Sequence, residues 1–399
     1  MFSLMKQVVE PTSNSFLEWK IENFHYWFNK IPELVERAFK RYEEKTNIKL
    51  KSISWEEPKA ITYHGFSPLN IKILRIETTG KDESSVHIAV PVPTRSDIYE
   101  VNASHYIMVC EFVDYPITTY DRILRMRYFR VDQGMFYSGS LEKWPLPVVL
   151  VALGLLDPKD IEVVNDISDI DDSVTCLKDG STYIRYKKFT GQPFDHQILR
   201  GFNHLKSLDQ LYNKQIIEKL NKFELSTFLI HQLELFYDMT LNTFDTVTIV
   251  REMLKKGIEI YNETYDKQYS FGSLQQKYVS YYDMIVEFLV WKMIDNVLQR
   301  HQTYKFKVDS HGILKFLVAS NPRFQLLSSI ETPFREINLK ETITTLINNP
   351  PPSYRSTHAT YLYNIDPINT PDTDKLGIVQ RVTKTVQLDV LGRFKEIHV

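Results

Sequence analysis

Near the N-terminus, apolar residues recur at helical spacing: Phe16, Trp19, Ile21, Phe24, Trp27, Phe28, Ile31, Leu34, Val35 and Phe39. The pattern predicts one helix over residues 15–46, with Ser15 as its cap. From Ile48 to Phe112 the period becomes that of strands. Ile71–Glu77 and His87–Val92 are β-rich, and turn residues at Gly65–Pro68 and Gly80–Ser84 divide the region. Residues 122–131, RILRMRYFRV, partly alternate basic and apolar positions and turn at Asp132–Gly134 into Met135–Gly139. That predicts a hairpin with Arg122, Arg125, Arg127 and Arg130 on a largely exposed sheet surface. Taken alone, such a row reads as a solvated face rather than a nucleic-acid track.

The longest apolar run is Trp144–Leu156, WPLPVVLVALGLL. It is shorter than the roughly 18–20 residues of a bilayer span. Pro145 and Pro147 suit the first turn of a buried helix. Seven acids and one base follow over Asp157–Asp172, whereas residues 178–206 carry six bases and two acids. Helical segments are expected over 207–300. There Met284, Phe288, Leu289, Trp291, Ile294, Val297 and Leu298 form a core stripe, and Asp283, Glu287, Lys292 and Asp295 exclude a membrane span. Asn348–Pro352 reads as a turn-forming linker, and short strand-like runs close the chain. No internal repeat at a fixed period is visible.

Composition narrows this picture. With 399 residues and 43% hydrophobic positions, the chain has the apolar surface to fold, and its length suggests two or three domains. Its 48 Lys+Arg against 50 Asp+Glu argue against a self-sufficient nucleic-acid binder. Cys110 and Cys176 form no Cys-x-x-Cys pair and read as reduced thiols. Met1–Glu10 lacks a basic start and a sustained apolar core, so no secretory signal is expected.

The common catalytic signatures are missing from the sequence. There is no G-x-x-x-x-G-K-[ST], G-x-G-x-x-G, G-x-S-x-G or H-E-x-x-H, and the eleven histidines show no close pair at metal-ligand spacing. Asp169, Asp171 and Asp172 invite comparison with two-metal phosphoryl-transfer sites. Without a nearby glycine for the sharp turn, they read better as a solvated acidic loop. The residues on their own give an α+β, multidomain chain with no complete active site.

Three C-terminal motifs occur in a fixed order. Thr332–Leu346 contains Pro333, Glu336, Lys340 and Leu346; His358-Ala-Thr360 follows; Asp366–Ile378 contains Pro367, Thr370, Pro371 and Gly377. This succession resembles the β subunit of multisubunit DNA-dependent RNA polymerases. In that family an N-P-L-S-E-type segment precedes H-P-T-H-Y-G-R and C-P-[IA]-E-T-P-E-G. Val386–Phe394 is similar to the strand and turn that come next. Ser67–Ile73, Tyr99–Val109, Lys143–Gly154 and Ile313–Leu317 resemble earlier family segments in the family's order, with Ala103 replacing a glycine. Residues 155–300 match least well.

Because the chain ends at Val399, soon after the third motif, it resembles the N-terminal half of a split β subunit of the giant-bacteriophage type. The resemblance implies a protrusion-like domain over 1–113, a lobe-like domain over 114–263, and a second protrusion-like part over 264–322. A fork-like segment over 323–365 and the start of the following β region over 366–399 complete it. It implies a subunit that positions DNA beside the RNA–DNA hybrid, with no cofactor of its own. The catalytic Mg²⁺ would belong to β′.

The implied partners are a β C-terminal-half subunit, β′-type subunits, a promoter-specificity subunit, the DNA template and the RNA transcript, with no membrane. The location would be the infected host's cytoplasm, a phage-induced compartment, or the virion. Arg335, Lys340, Arg355, His358, Asp372 and Lys375 are the implied nucleic-acid contacts. A virion or scaffold protein that keeps the fold without transcribing is the alternative; a hydrolase using Asp169–Asp172 ranks well below both.

The departures carry meaning too. Where the family has H-K-R-R-[LI]-S, this chain has Leu339-Lys-Glu-Thr-Ile-Thr344, losing a histidine and both arginines. Those groups line the family's rifamycin pocket, so the resemblance implies a resistant polymerase; potent inhibition of its transcription by rifamycin would overturn this. The Gly-rich fork loop is replaced by Asn348–Pro352, and Asn369 and Asp372 stand for the two glutamates of E-T-P-E.

Overall fold

The structure, a computed structural model, describes residues 15–59, 63–79, 84–94, 97–139, 142–165, 174–177, 182–241, 244–267, 273–300, 306–327, 336–339, 358–366, 379–383 and 386–395. Helices and mainly antiparallel sheets are combined in an α+β, multidomain chain. One unit comprises Met1–Val113, Ser226–Phe228 and Gly272–Val399, and the other Asp114–Leu225 and Leu229–Phe271. The helix Thr246–Thr264 lies whole within the second unit, which runs to Phe271. The first unit takes in all of Gly272–Val399.

The first unit is organised on the helix Ser15–Thr46. Its buried stripe is Phe16, Trp19, Trp27, Ile31, Leu34, Val35, Ala38, Phe39 and Tyr42, and Lys20 and Asn23 share that face. Asn47 ends the helix at φ 55°, donating its N–H to the Glu43 carbonyl at 3.2 Å. Lys49–Glu56, Ile71–Thr79 and Ser84–Pro91 then make a three-stranded antiparallel sheet.

Ile98–Val101 and Ser104–Met108 form a hairpin whose two turn residues, Asn102 and Ala103, have φ of 50° and 60°. Such a turn favours Asn-Gly because a Cβ is disfavoured in the left-handed region. Ala103→Gly is therefore expected to raise stability by about 0.5–1 kcal/mol, the relief of strain exceeding the added freedom of the unfolded chain. An unchanged or lower denaturant midpoint would refute this.

A helical segment runs through Asp283–Glu287, Phe288–Asp295 and Asn296–Arg300, and its central part is a π-helix. The π-turn moves the buried face off ordinary helical period. Ile285, Val286, Leu289, Val290, Met293, Ile294 and Leu298 are buried, whereas Met284, Phe288, Trp291 and Val297 of the expected stripe are only partly so. Asp283 and Asp295 are buried as well. Asp295 accepts from the backbone N–H and hydroxyl of Thr227 at 2.7 and 2.8 Å. Lys277–Ser280, within the span read as helical, is a fully buried strand.

The second unit contains a five-stranded meander: Ile117–Tyr120, Ile123–Met126, Phe129–Asp132, Met135–Ser138 and Glu142–Pro145. Residues 122–131 are thus two strands with an additional turn at Arg127–Tyr128, where Tyr128 takes φ 74°. The sequence signal was faint because no glycine marks that turn. Leu124, Val131, Phe136 and Trp144 line the inner face, joined in one core by the helices Leu146–Ala152, Pro193–Phe202 and Thr246–Thr264.

Two ion pairs join described parts of the acidic and basic stretches within this unit. Strand Ile161–Val164 pairs with Tyr183–Tyr186, and Asp160 meets Lys188 at 2.7 Å while Glu162 meets Lys187 at 3.7 Å. Among the described residues, no helix is long and apolar enough to cross a membrane.

Candidate nucleic-acid interface

The described part of the first C-terminal motif, Glu336–Leu339, is a strand in a sheet of the first unit. Its strand order is Lys277–Ser280, Cys110–Asp114, Glu336–Leu339 and Val379–Arg381. Glu336–Leu339 runs parallel to Cys110–Asp114 and antiparallel to Val379–Arg381, with Ile337 opposite Gln380. The start of the first motif and the residues just after the third therefore lie side by side. Sequence order alone could not supply that neighbourhood.

His358 is the one proposed contact residue whose surroundings are described. Arg335, Lys340, Arg355, Asp372 and Lys375 lie outside the described residues, as do Asp169, Asp171, Asp172 and the linker Asn348–Pro352. His358 starts the short turn Ala359–Tyr361, and its Nδ1 accepts from the Thr360 N–H at 3.2 Å. The buried Thr360 hydroxyl oxygen in turn accepts the Leu274 N–H at 3.0 Å. Asn364 extends the anchorage, its carbonyl accepting from the Thr383 N–H at 3.0 Å. Half-buried His358 thus acts on the chain itself, as the cap of a turn.

Partial burial holds the His358 pKa below its ordinary value. The unfolded chain then takes up the proton more readily than the folded one. The stability associated with neutral His358 is whole above about pH 6.5 and is lost as pH falls through the depressed folded value. Protonation also removes the Nδ1 lone pair that accepts from Thr360. His358→Asn, which caps without titrating in this range, is expected to flatten part of the fall in stability between about pH 7 and 5. Parallel pH curves for the two proteins, measured by denaturant unfolding, would contradict that role.

Beside this sheet is a buried polar network that sequence reasoning missed. Lys20 Nζ donates to Asp97 Oδ2 at 2.6 Å and to the Met108 carbonyl at 3.3 Å; both Lys20 and Asp97 are buried. The Tyr281 hydroxyl donates to the other Asp97 oxygen. Arg323 donates to the Val109 carbonyl at 2.9 Å and the Ser280 carbonyl at 2.6 Å, with Glu111 at 3.6 Å. Asp283 receives the Tyr281 N–H at 2.7 Å and the Ser280 hydroxyl at 2.9 Å.

Burial alone would lower the Lys20 pKa, but Asp97 outweighs it and raises the value. Burial also lifts Asp97 above the usual carboxylate range, against the pull of Lys20. Cys110 is a free thiol, pushed up to about 11 by burial. A thiol so held is a packing group rather than a nucleophile. Cys176 is likewise free.

The turn Asp389–Arg393 belongs to the same region. Trp19 Nε1 donates to the Asp389 carbonyl at 2.7 Å, and Asn23 donates to the Val390 carbonyl at 2.8 Å. Gly392 accepts from the Val279 N–H at 2.8 Å. One end of the chain is thereby locked to the helix at the other.

Among the described residues, no group of three or more His, Cys, Asp or Glu side chains is disposed to hold a metal ion. The described geometry here consists of buried ion pairs and a capped turn at His358. No protein-family model matches the chain, and comparison with the curated proteins finds no match.

Proposed function

We propose that this chain is a β-type subunit of a phage multisubunit DNA-directed RNA polymerase, corresponding to the N-terminal half of a split β subunit. The observation that carries the reading is the ordered succession of the three C-terminal motifs, Thr332–Leu346, His358–Thr360 and Asp366–Ile378. A first unit interrupted by an inserted unit starting at Asp114 suits the implied order of protrusion and lobe. In this role the chain forms one side of the DNA cleft, and the segments around Arg335, Lys340, Arg355, Asp372 and Lys375 approach the RNA–DNA hybrid. Lysine and arginine there neutralise phosphates without reading sequence.

The chain contributes position rather than bond-making. Nucleotidyl transfer requires the Mg²⁺-holding carboxylates of a β′-type partner, and the assembly works in the infected cell or from the virion. Co-expression with candidate β C-terminal and β′-type chains, followed by affinity purification, tests the proposal. The expected result is a stoichiometric complex that extends RNA, while this chain alone does not. A lone stable monomer that captures none of those chains would overturn it.

A further inference from the structure

The register of the meander puts side chains in line that the sequence scatters. Arg125 faces Arg130, Arg130 faces Tyr137, and Tyr137 faces Lys143, and the row ends at Thr118, which faces Arg125 but is buried. Their neighbours Leu124, Val131, Phe136 and Trp144 point into the core, so this row belongs to the outer face. Arg130 and Lys143 are exposed, and Arg125 and Tyr137 are half-buried. Adjacent strands lie about 4.8 Å apart, so the three cations span about 14 Å along a straight track.

Like charges directly opposite in a sheet are unfavourable unless something neutralises them. Among the described residues, no carboxylate pairs with Arg125, Arg130 or Lys143. The buried Arg125 Nε has no hydrogen-bond partner among them either. Asp132 shares the outer face, one row further along. Arg127 differs from its neighbours, since it donates to Gln232 at 2.8 Å, and Arg122 lies over the Tyr265 ring at 4.9 Å.

Aromatic rings accompany the charges. The Arg130 guanidinium lies 4.3 Å from the Tyr137 ring centroid, presenting a flat cationic surface outward. At the adjoining hairpin tip, Tyr128 is 40% exposed and held at φ 74°, a conformation costly for a bulky residue. Cations that follow a phosphate backbone, interleaved with stacking planes, are the requirements for holding an unpaired strand. In a duplex the base faces are already stacked, and those planes would go unused.

We propose that the outer face of this meander is a binding surface for single-stranded nucleic acid, with Arg125, Arg130 and Lys143 on the phosphates and Arg130–Tyr137 and Tyr128 against the bases. The surface is independent of the C-terminal segments assigned above, and its occupancy does not require partner chains.

The test uses the full chain and a fluorescein-labelled 12-nucleotide oligothymidylate, followed by anisotropy at about 50 and 200 mM salt. Binding is expected to weaken steeply with salt. Removing two phosphate contacts by Arg130→Gln with Lys143→Gln should reduce the log–log salt slope by about 1.4, and affinity at the lower salt by about tenfold. Arg130→Gln alone, on an exposed strand position, should give about half that slope change. Lys40→Gln with Lys255→Gln, removing two exposed charges elsewhere, should leave binding unchanged.

Four outcomes would overturn the proposal: no binding, equal binding by the row variant, equal loss in the Lys40/Lys255 control, or equally tight binding of a 12-base-pair duplex. Each is separate from failure of the subunit reading, which co-purification decides.

Discussion

Lys20→Met is expected to destabilise the first unit by about 3–5 kcal/mol, the usual cost of leaving one half of a buried ion pair uncompensated. Asp97 keeps the Tyr281 hydroxyl but loses a 2.6 Å ammonium, and the Met108 carbonyl loses a donor. Water cannot replace them cheaply, because both Lys20 and Asp97 are only 1% exposed. Combining the change with Asp97→Asn removes the stranded charge and keeps a residue that tolerates the φ of 59° at this position. The double variant should therefore lose less than the sum of the two single changes. Denaturant unfolding monitored through Trp19, whose ring lies 6.4 Å from Tyr281, provides the measurement. Additive single effects, or a Lys20→Met cost below about 1 kcal/mol, would show the pair to be dispensable.

Lys20 also shows what a sequence can and cannot disclose. Its spacing from Phe16, Trp27 and Ile31 sets it on the apolar face of a well-marked helix, as does that of Asn23. A polar residue on such a stripe signals a buried partner. Nothing local identifies that partner as Asp97, 77 positions away in the chain.

The helix Ser15–Thr46 and the Trp144–Leu156 run were legible because strong periodicity and proline placement act over short distances. Periodicity misled at Phe288–Asp295, where a π-helix shifts the buried face and brings Asp295 to Thr227. It also ran through Arg127–Tyr128, because a tyrosine there adopts a backbone conformation usually signalled by glycine. The four arginines of that region were therefore expected as one row, whereas Arg127 turns to Gln232 and Arg122 to the Tyr265 ring. Only the extra turn sets Arg125 opposite Arg130. For the C-terminal motifs, spacing identified His358 but not its capping role, which depends on Thr360 and on Leu274 far upstream.

Gly392→Ala is expected to cost about 2–4 kcal/mol and to release the C-terminal turn from the Ser15–Thr46 helix. Two effects combine at this position. Gly392 has φ 87°, where a Cβ costs about 1 kcal/mol. The new methyl would also lie 2.1 Å from the Val279 carbonyl oxygen, in a backbone strand rather than a yielding side chain. Overpacking against a fixed partner adds about 1–3 kcal/mol. Displacing the turn would lengthen the 2.8 Å bond from the Val279 N–H and the 2.7 Å bond from Trp19 to Asp389.

Hydrogen exchange at Val279 and the fluorescence of Trp19 should therefore respond together. Gly191→Ala separates the two effects, because Gly191 has φ 75° but no neighbouring atom within 4 Å of an added methyl. It should show the backbone cost alone, about 1 kcal/mol. If both substitutions cost the same and Val279 keeps its protection, close packing of this turn does not hold the two ends of the chain together. A larger loss at Gly392, with faster Val279 exchange, is expected because Val279 cannot retreat without breaking the sheet it shares with Cys110–Asp114 and Glu336–Leu339.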